Sequence, residues 1–274
     1  MACRKALAPL VCLAALACGP AIAADAGLKA AAKAVVDKSA ATVVPVKIVT
    51  SVKVTYRGRE MPSRESESEV LGTVLDETGL IVTSDTAADP SRVGGGRQPG
   101  VKIESELKAV KLIRKDGTEV TLKIVLRDKD LDLMFLRPEK KLALPQLGVK
   151  KKGPKLAIAD HVITLSRLEA VGDRQPSVSI VRVRAVIDKP RRFYVTDFAS
   201  SMRELGCPAF TAAGELIGIV TIRVNRGGRA GMLPVILPVE DVLEDMQQIE
   251  PPEGDEEDKA KEEPKEGKKA EKKE

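Results

Sequence analysis

From Thr42 to Leu237 the chain repeats one pattern, a short run of Val, Ile and Leu cut off within a few residues by Gly, Asp or Pro. Val and Ile are stiff at χ1 and pack well on a pleated surface, so such runs read as strands. They fall at 42–56, 70–76, 80–84, 108–114, 119–127, 131–136, 155–158, 162–165, 178–187, 193–195, 216–224 and 235–237. Glu77-Thr78-Gly79 and Asp116-Gly117 stand between neighbouring runs as hairpin turns that favour positive φ. The polar stretch 59–69 and the segment 89–105, with Gly94-Gly95-Gly96, read as loops. Many short strands with turns every 8–12 residues define an all-β sandwich or barrel. Trp is absent and only 2% of residues are aromatic, so aliphatic side chains must supply the core.

The two ends read differently. Arg4 and Lys5 precede an apolar run from Ala6 to Cys18, and Ala21-Ile22-Ala23 offers small residues at a cleavage site. Residues 1–23 therefore read as a signal peptide, too short to span a bilayer, and the mature chain is expected to be periplasmic or secreted. A lipoprotein signal using Cys18 is the lesser alternative, because Ala15 stands where such signals usually carry Leu. Residues 24–41 are assigned to an N-terminal helix on the amphipathic run LKAAAKAVVDKSA that begins at Leu28. Val239 to Ile249 reads as a closing helix, with Val242, Leu243, Met246 and Ile249 on one face. Residues 251–274 carry ten acids and seven bases and almost nothing apolar, the composition of a disordered tail.

Several function classes lose support. The net charge is +5, without a basic run interleaved with aromatics, which argues against nucleic-acid binding. With one His, His161, and Cys207 as the Cys left after processing, no metal site is expected, nor a cofactor. No phosphate-binding loop follows the triple Gly, and no second apolar stretch is long enough to cross a membrane.

One segment carries chemistry by analogy. TDFASSMRELGCPAFTAAGELIGIVT, from Thr196 to Thr221, resembles without a gap the nucleophile segment of trypsin-like serine proteases of the HtrA (DegP) type. Thr196, Asp197, Ala199, Gly206, Pro208, Phe210, Gly214, Glu215, Ile217, Gly218, Ile219 and Thr221 match. LGTVLDETGLIVTSDTAA is similar to the segment that carries the family's His, and VTLKIVLRDKDLDLMFLRP to the one that carries its Asp. The resemblance covers roughly 27–248 and lacks the family's PDZ domain. It implies two six-stranded antiparallel β-barrels over 42–250, flanked by the two helices.

The same resemblance places the triad on Thr86, Asp132 and Leu205, so Asp132 alone is kept. The reaction needs a nucleophilic hydroxyl, an imidazole to take its proton and a carboxylate to orient that imidazole. The oxyanion-hole positions fall on Arg203 and Leu205. Arg203 stands where the family has a Gly, and a β-carbon there works against the backbone turn that aims the N–H. Asp132 is then expected to serve structure, accepting backbone N–H groups or Thr86. Cys207 is the alternative nucleophile, two residues late and without a His. Ala199 and Ser200 line the pocket wall by analogy, and Ser200 and Ser201 stand too early to be nucleophiles. The resulting expectation is a non-catalytic exported homologue that binds protein or extended peptide. A hydrolase rearranged around Cys207 or Asp132 and a purely structural module are the rivals.

Overall fold

The computed structural model describes residues 20–89, 100–197, 202–224 and 231–251. The expected tail and residues 1–19 of the expected signal peptide lie outside them, as do Ala199, Ser200 and Ser201.

A helix α1 (Pro20–Ser39) leads into β1 (Val43–Tyr56), β2 (Arg59–Glu60), β3 (Arg64–Val74) and β4 (Ile81–Ser84). A single turn α2 (Asp85–Ala88) follows, then β5 (Val101–Ile113), β6 (Glu119–Asp128) and β7 (Leu133–Pro138). These strands run in the order β2-β1-β3-β4-β7-β6-β5, and pairing of β5 back onto β1 closes six of them into a barrel. A second closed barrel has the order β10-β13-β12-β11-β8-β9. Its strands are β8 (His161–Arg167), β9 (Pro176–Ile187), β10 (Phe193–Thr196), β11 (Pro208–Thr211), β12 (Leu216–Val224) and β13 (Met232–Pro238), and α3 (Val239–Met246) closes the chain. The all-β, two-barrel architecture with a helix at each end is thus the observed one.

Three expectations need correction. Residues 101–105 are not loop but the start of β5, where β1 supplies the ladder from Tyr56↔Val101 to Val52↔Ser105. Residues 64–69 are not loop but the first half of β3, pairing with β1 from Ser68↔Ile48 to Arg64↔Val52. The polar side chains are accommodated because this end of β3 faces solvent, where Lys47 reaches Glu67 at 2.8 Å. Conversely, 155–158 form no strand. They belong to the long connection between the barrels, where Leu156 N–H donates to the Tyr194 hydroxyl and Ala157 N–H to the Asp160 carboxylate instead of to a ladder. Gly153-Pro154 just upstream removes another donor.

Packing explains why a chain so poor in aromatics closes two barrels. In β7, Met134 and Leu136 join Val46, Ile48 and Leu112 inside the first barrel. Leu133 and Phe135 point the other way, onto Ile219, Leu237 and Val242 of the second barrel and α3. A strand buried on both faces reads as an unbroken apolar run, as this one does. Val35 and Ala32 of α1 cover a third cluster of Leu71, Ile163, Leu165, Cys207 and Phe210, so α1 also bridges the barrels. The seam between the barrels carries the candidate site.

Candidate functional site

The seam is organised by Asp132. It sits at the start of β7 with φ +63, in the left-handed region that Asp tolerates better than most residues, and it is 2% exposed. The bend aims its carboxylate across the end of β4. One oxygen accepts the Thr86 N–H at 2.7 Å. The other accepts the Ser84 hydroxyl at 2.7 Å and the Ile222 N–H, on β12 of the second barrel, at 2.9 Å. Burial pushes the Asp132 carboxyl above its ordinary value, while the Thr86 and Ser84 side chains and the N–H groups of Ile222 and Thr86 pull it back down. Thr86 Oγ1 is buried outside hydrogen-bond geometry to any described partner, yet close enough to the carboxylate to favour its charge.

Ser84 caps α2, accepting the Ala87 N–H at 3.1 Å while it donates to Asp132. Asp85, fully buried, is held by Arg127 of β6 at 2.6 Å from Nε. The turn that carries Thr86 is therefore fixed from both sides.

Leu205 follows a short 3-10 turn (Met202–Glu204) and is 1% exposed. Its side chain belongs to the core of the second barrel, with Val162, Tyr194, Ala209, Ile222 and Ile236, and Ala87 packs on the same cluster. Thr86, Asp132 and Leu205 thus converge on one seam, through Ile222 and Ala87. Thr86 brings no imidazole to this seam, and Leu205 no nucleophilic atom. Arg203 is exposed and pairs with Glu169 at 3.3 Å. Glu204 is half-buried; Ser179 Oγ donates to one oxygen at 2.9 Å, and the other has no described partner. Burial raises its carboxyl pKa.

Gly206 explains how tightly the seam is drawn. Its φ is +84, and a β-carbon on it would stand 2.3 Å from the Leu71 carbonyl. Thr73 Oγ1 donates to the Gly206 carbonyl and Thr83 Oγ1 to the Leu71 carbonyl, both at 2.7 Å.

Cys207, the alternative nucleophile, is fully enclosed under α1. Burial, reinforced by Glu204, pushes its thiol well above the ordinary value, the opposite of what activates a cysteine. His161 opens β8 and is half-buried. Among the described residues no three His, Cys, Asp or Glu side chains are placed to hold a metal. No helix among them is long and apolar enough to cross a membrane, which says nothing of β-barrel insertion. Sequence reasoning reached Thr86, Asp132, Leu205, Arg203 and Cys207. It missed the roles of Ser84, Ile222, Thr73 and the Asp85–Arg127 pair, which rest on contacts between residues distant in sequence.

Two antiparallel six-stranded barrels with an Asp at their seam define a protein of the trypsin-like fold. In sequence the chain is similar to serine protease HTRA3 of Homo sapiens and of Rattus norvegicus, 26% identical to each over 196 residues. The match takes in 70% of this chain but 40% of either relative, so the chain spans about two fifths of their length. In structure it is similar to an HtrA-type protease solved with tripeptide, at TM-score 0.52 and 19% identity, covering 79% of this chain and 62% of that one. No family model matches. The chain thus has the trypsin-like fold and is similar in sequence to HtrA-type serine proteases.

Proposed function

We propose that this chain is an exported, non-catalytic homologue of HtrA-type proteases that retains a protein- or peptide-binding role. The observation that carries the reading is Leu205. It stands where the family's nucleophile aligns, and its side chain is a core residue of the second barrel rather than a group presented to a cleft. Asp132, which in the family orients an imidazole, is occupied by Thr86, Ser84 and Ile222. A buried, raised-pKa thiol offers no substitute.

Binding has its own support. β12 pairs with β13 from Gly218↔Pro238 to its end at Val224↔Met232, but with β11 only as far as Ile219. The Ile222 N–H points away from β13, toward Asp132, so by strand periodicity the Val224 N–H points to the same side. No described strand lies on that edge. An extended peptide can add there using backbone groups alone, with no catalytic residue needed. Of the relatives, one HtrA-type protease is solved with tripeptide.

The test uses the mature chain with a fluorophosphonate probe, unfolded casein and a peptide-display library. No labelling and no cleavage are expected, with capture of extended peptides that is lost in Val224→Pro. Labelling or cleavage abolished by one substitution would overturn the non-catalytic reading. Peptide capture unaffected by Val224→Pro would remove β12 as the binding edge.

A further inference from the structure

A second concave surface lies away from the Asp132 seam. It is a cleft of about 420 Å³ between the end of α1, the inter-barrel connection, the β11–β12 turn and the first residue of α3. Lys38, Lys150 and Lys152 stand around it, all exposed. None of these three ammoniums has a carboxylate partner among the described residues, whereas ten other lysines and arginines there do. Two carboxylates are close: Glu215 on the rim, and Glu240, which is engaged by the Gly153 N–H at 3.0 Å. The segment 146–155, QLGVKKKGPK, contains no acid at all. Phe210, Leu147 and Leu216 form an apolar floor.

After Pro251, the last described residue before the C-terminus, the sequence runs into a marked excess of the opposite sign. The stretch Glu253-Gly254-Asp255-Glu256-Glu257-Asp258 has five acids and no base. Its point of departure is fixed, because Arg137 Nη1 donates to the Glu250 carbonyl at 2.8 Å. The eight residues from Glu250 to Asp258 reach about 26 Å when extended. Val239, at the cleft, lies within about 25 Å of Glu250 along α3 and the four residues after it. A tether this short holds the acids at roughly millimolar effective concentration near the lysines.

We propose that the cleft formed by Lys38, Lys150 and Lys152 is the docking site for the acidic stretch 253–258 of the same chain. The lysines supply the complement in charge, and the length of chain after Arg137–Glu250 permits the contact within one molecule. Docking would cover a face far from the peptide edge of β12, so the inference does not depend on the function proposed above.

The test is zero-length carbodiimide cross-linking of the full chain with mass spectrometry, using an equal mixture of 14N- and 15N-labelled protein. Links from Lys38, Lys150 and Lys152 to Glu253–Asp258, within one isotope label, are expected. At 0.5 M salt they should fall about fivefold, since the screening length drops to a few ångströms. Lys150→Glu with Lys152→Glu should abolish them, and Asp255→Lys with Glu256→Lys added to that pair should restore links in the swapped sense. Links of mixed isotope would assign the cleft to a second copy instead. Links spread evenly over exposed lysines such as Lys33 and Lys115, or none to the tail, would overturn the proposal. So would failure of the charge swap to restore them in a variant whose circular dichroism is unchanged.

Discussion

The Asp132 carboxylate accepts the Ile222 N–H at 2.9 Å, and this bond ties the mouth of the first barrel to β12 of the second. The same carboxylate holds the turn at Thr86 and the cap at Ser84. This one carboxylate is the acceptor for three donors, two of them backbone groups that water cannot reach. Removing it leaves all three unpaired, and each buried unpaired donor is costly.

Asp132→Ala is therefore expected to lose about 3–5 kcal/mol in urea denaturation, the usual cost of breaking a buried charged network by deleting one partner. Asp132→Asn keeps the shape but turns an NH2 toward one of the donors, so it should fall between wild type and Ala. A loss below about 0.5 kcal/mol in the Ala variant would show that the carboxylate carries no structural role.

Leu205→Ser introduces the hydroxyl that the sequence resemblance expects at this position. Its side chain would enter a cluster of Val162, Tyr194, Ala209, Ile222 and Ile236. The lost apolar contact and the buried hydroxyl together are expected to cost about 2–4 kcal/mol. With Thr86 as its neighbour the hydroxyl has no base, so fluorophosphonate labelling should stay at background. Labelling of this single variant would mean that the seam opens more than the structure shows.

Much of this was legible before any coordinates. The alternation of β-branched runs gave strands, and the three aligned segments gave two barrels, because turn and core residues are under tight local constraint. What stayed hidden is non-local. The strand at Arg64–Glu69 exists only because β1 offers it a ladder, and its own composition argues for a loop. Ser84 and Ile222 look ordinary in sequence; they matter because the left-handed bend at Asp132 brings a carboxylate between them. Leu205 aligned by resemblance with the family's nucleophile, but its place in the core was hidden, because that cluster is assembled from several strands and the turn at Ala87.

Gly206 shows how closely the barrels meet. Its φ of +84 and a would-be β-carbon 2.3 Å from the Leu71 carbonyl combine two penalties, one of strain and one of collision with backbone. Gly206→Ala should lower stability by about 3 kcal/mol or more, beyond the strain of a non-Gly residue in that conformation. A folded variant with wild-type melting behaviour would mean that the Leu71 and Gly206 backbones can part at little cost.

Cys207 gives a probe of the same region. Burial and Glu204 raise its thiol, and no solvent reaches it. Iodoacetamide at pH 8 is expected to modify the native chain at least about a hundredfold more slowly than the urea-unfolded chain, since the thiolate is the reacting form. Rapid native labelling would mean that α1 lifts from the barrels, since Ala32 and Val35 are what cover the sulfur.

Asp245 on α3 sets a pH dependence of definite sign. It is 4% exposed, and its Oδ2 has no described partner. Burial, then the Asp128 carboxylate on β6, push its pKa up to about 6 from 3.8. Arg191 lowers it, while Glu244 and Asp241 raise it further. The folded chain thus holds this proton more tightly than the unfolded one. Stability from this group is full below pH 3.8, declines as the pH rises toward 6, and is flat above. The carboxyl sits at the rim of the core near the end of α3, where solvent screens part of the field, so the loss is on the order of 1–2 kcal/mol. Asp245→Asn removes the charge and with it the decline. At pH 8 it should melt about 2–6 °C above wild type, and at pH 4 at nearly the same temperature. An equal shift at both pH values would trace the gain to contacts of the amide itself rather than to titration of the carboxyl. A loss of stability at pH 8 would mean that the charged carboxylate is paired after all.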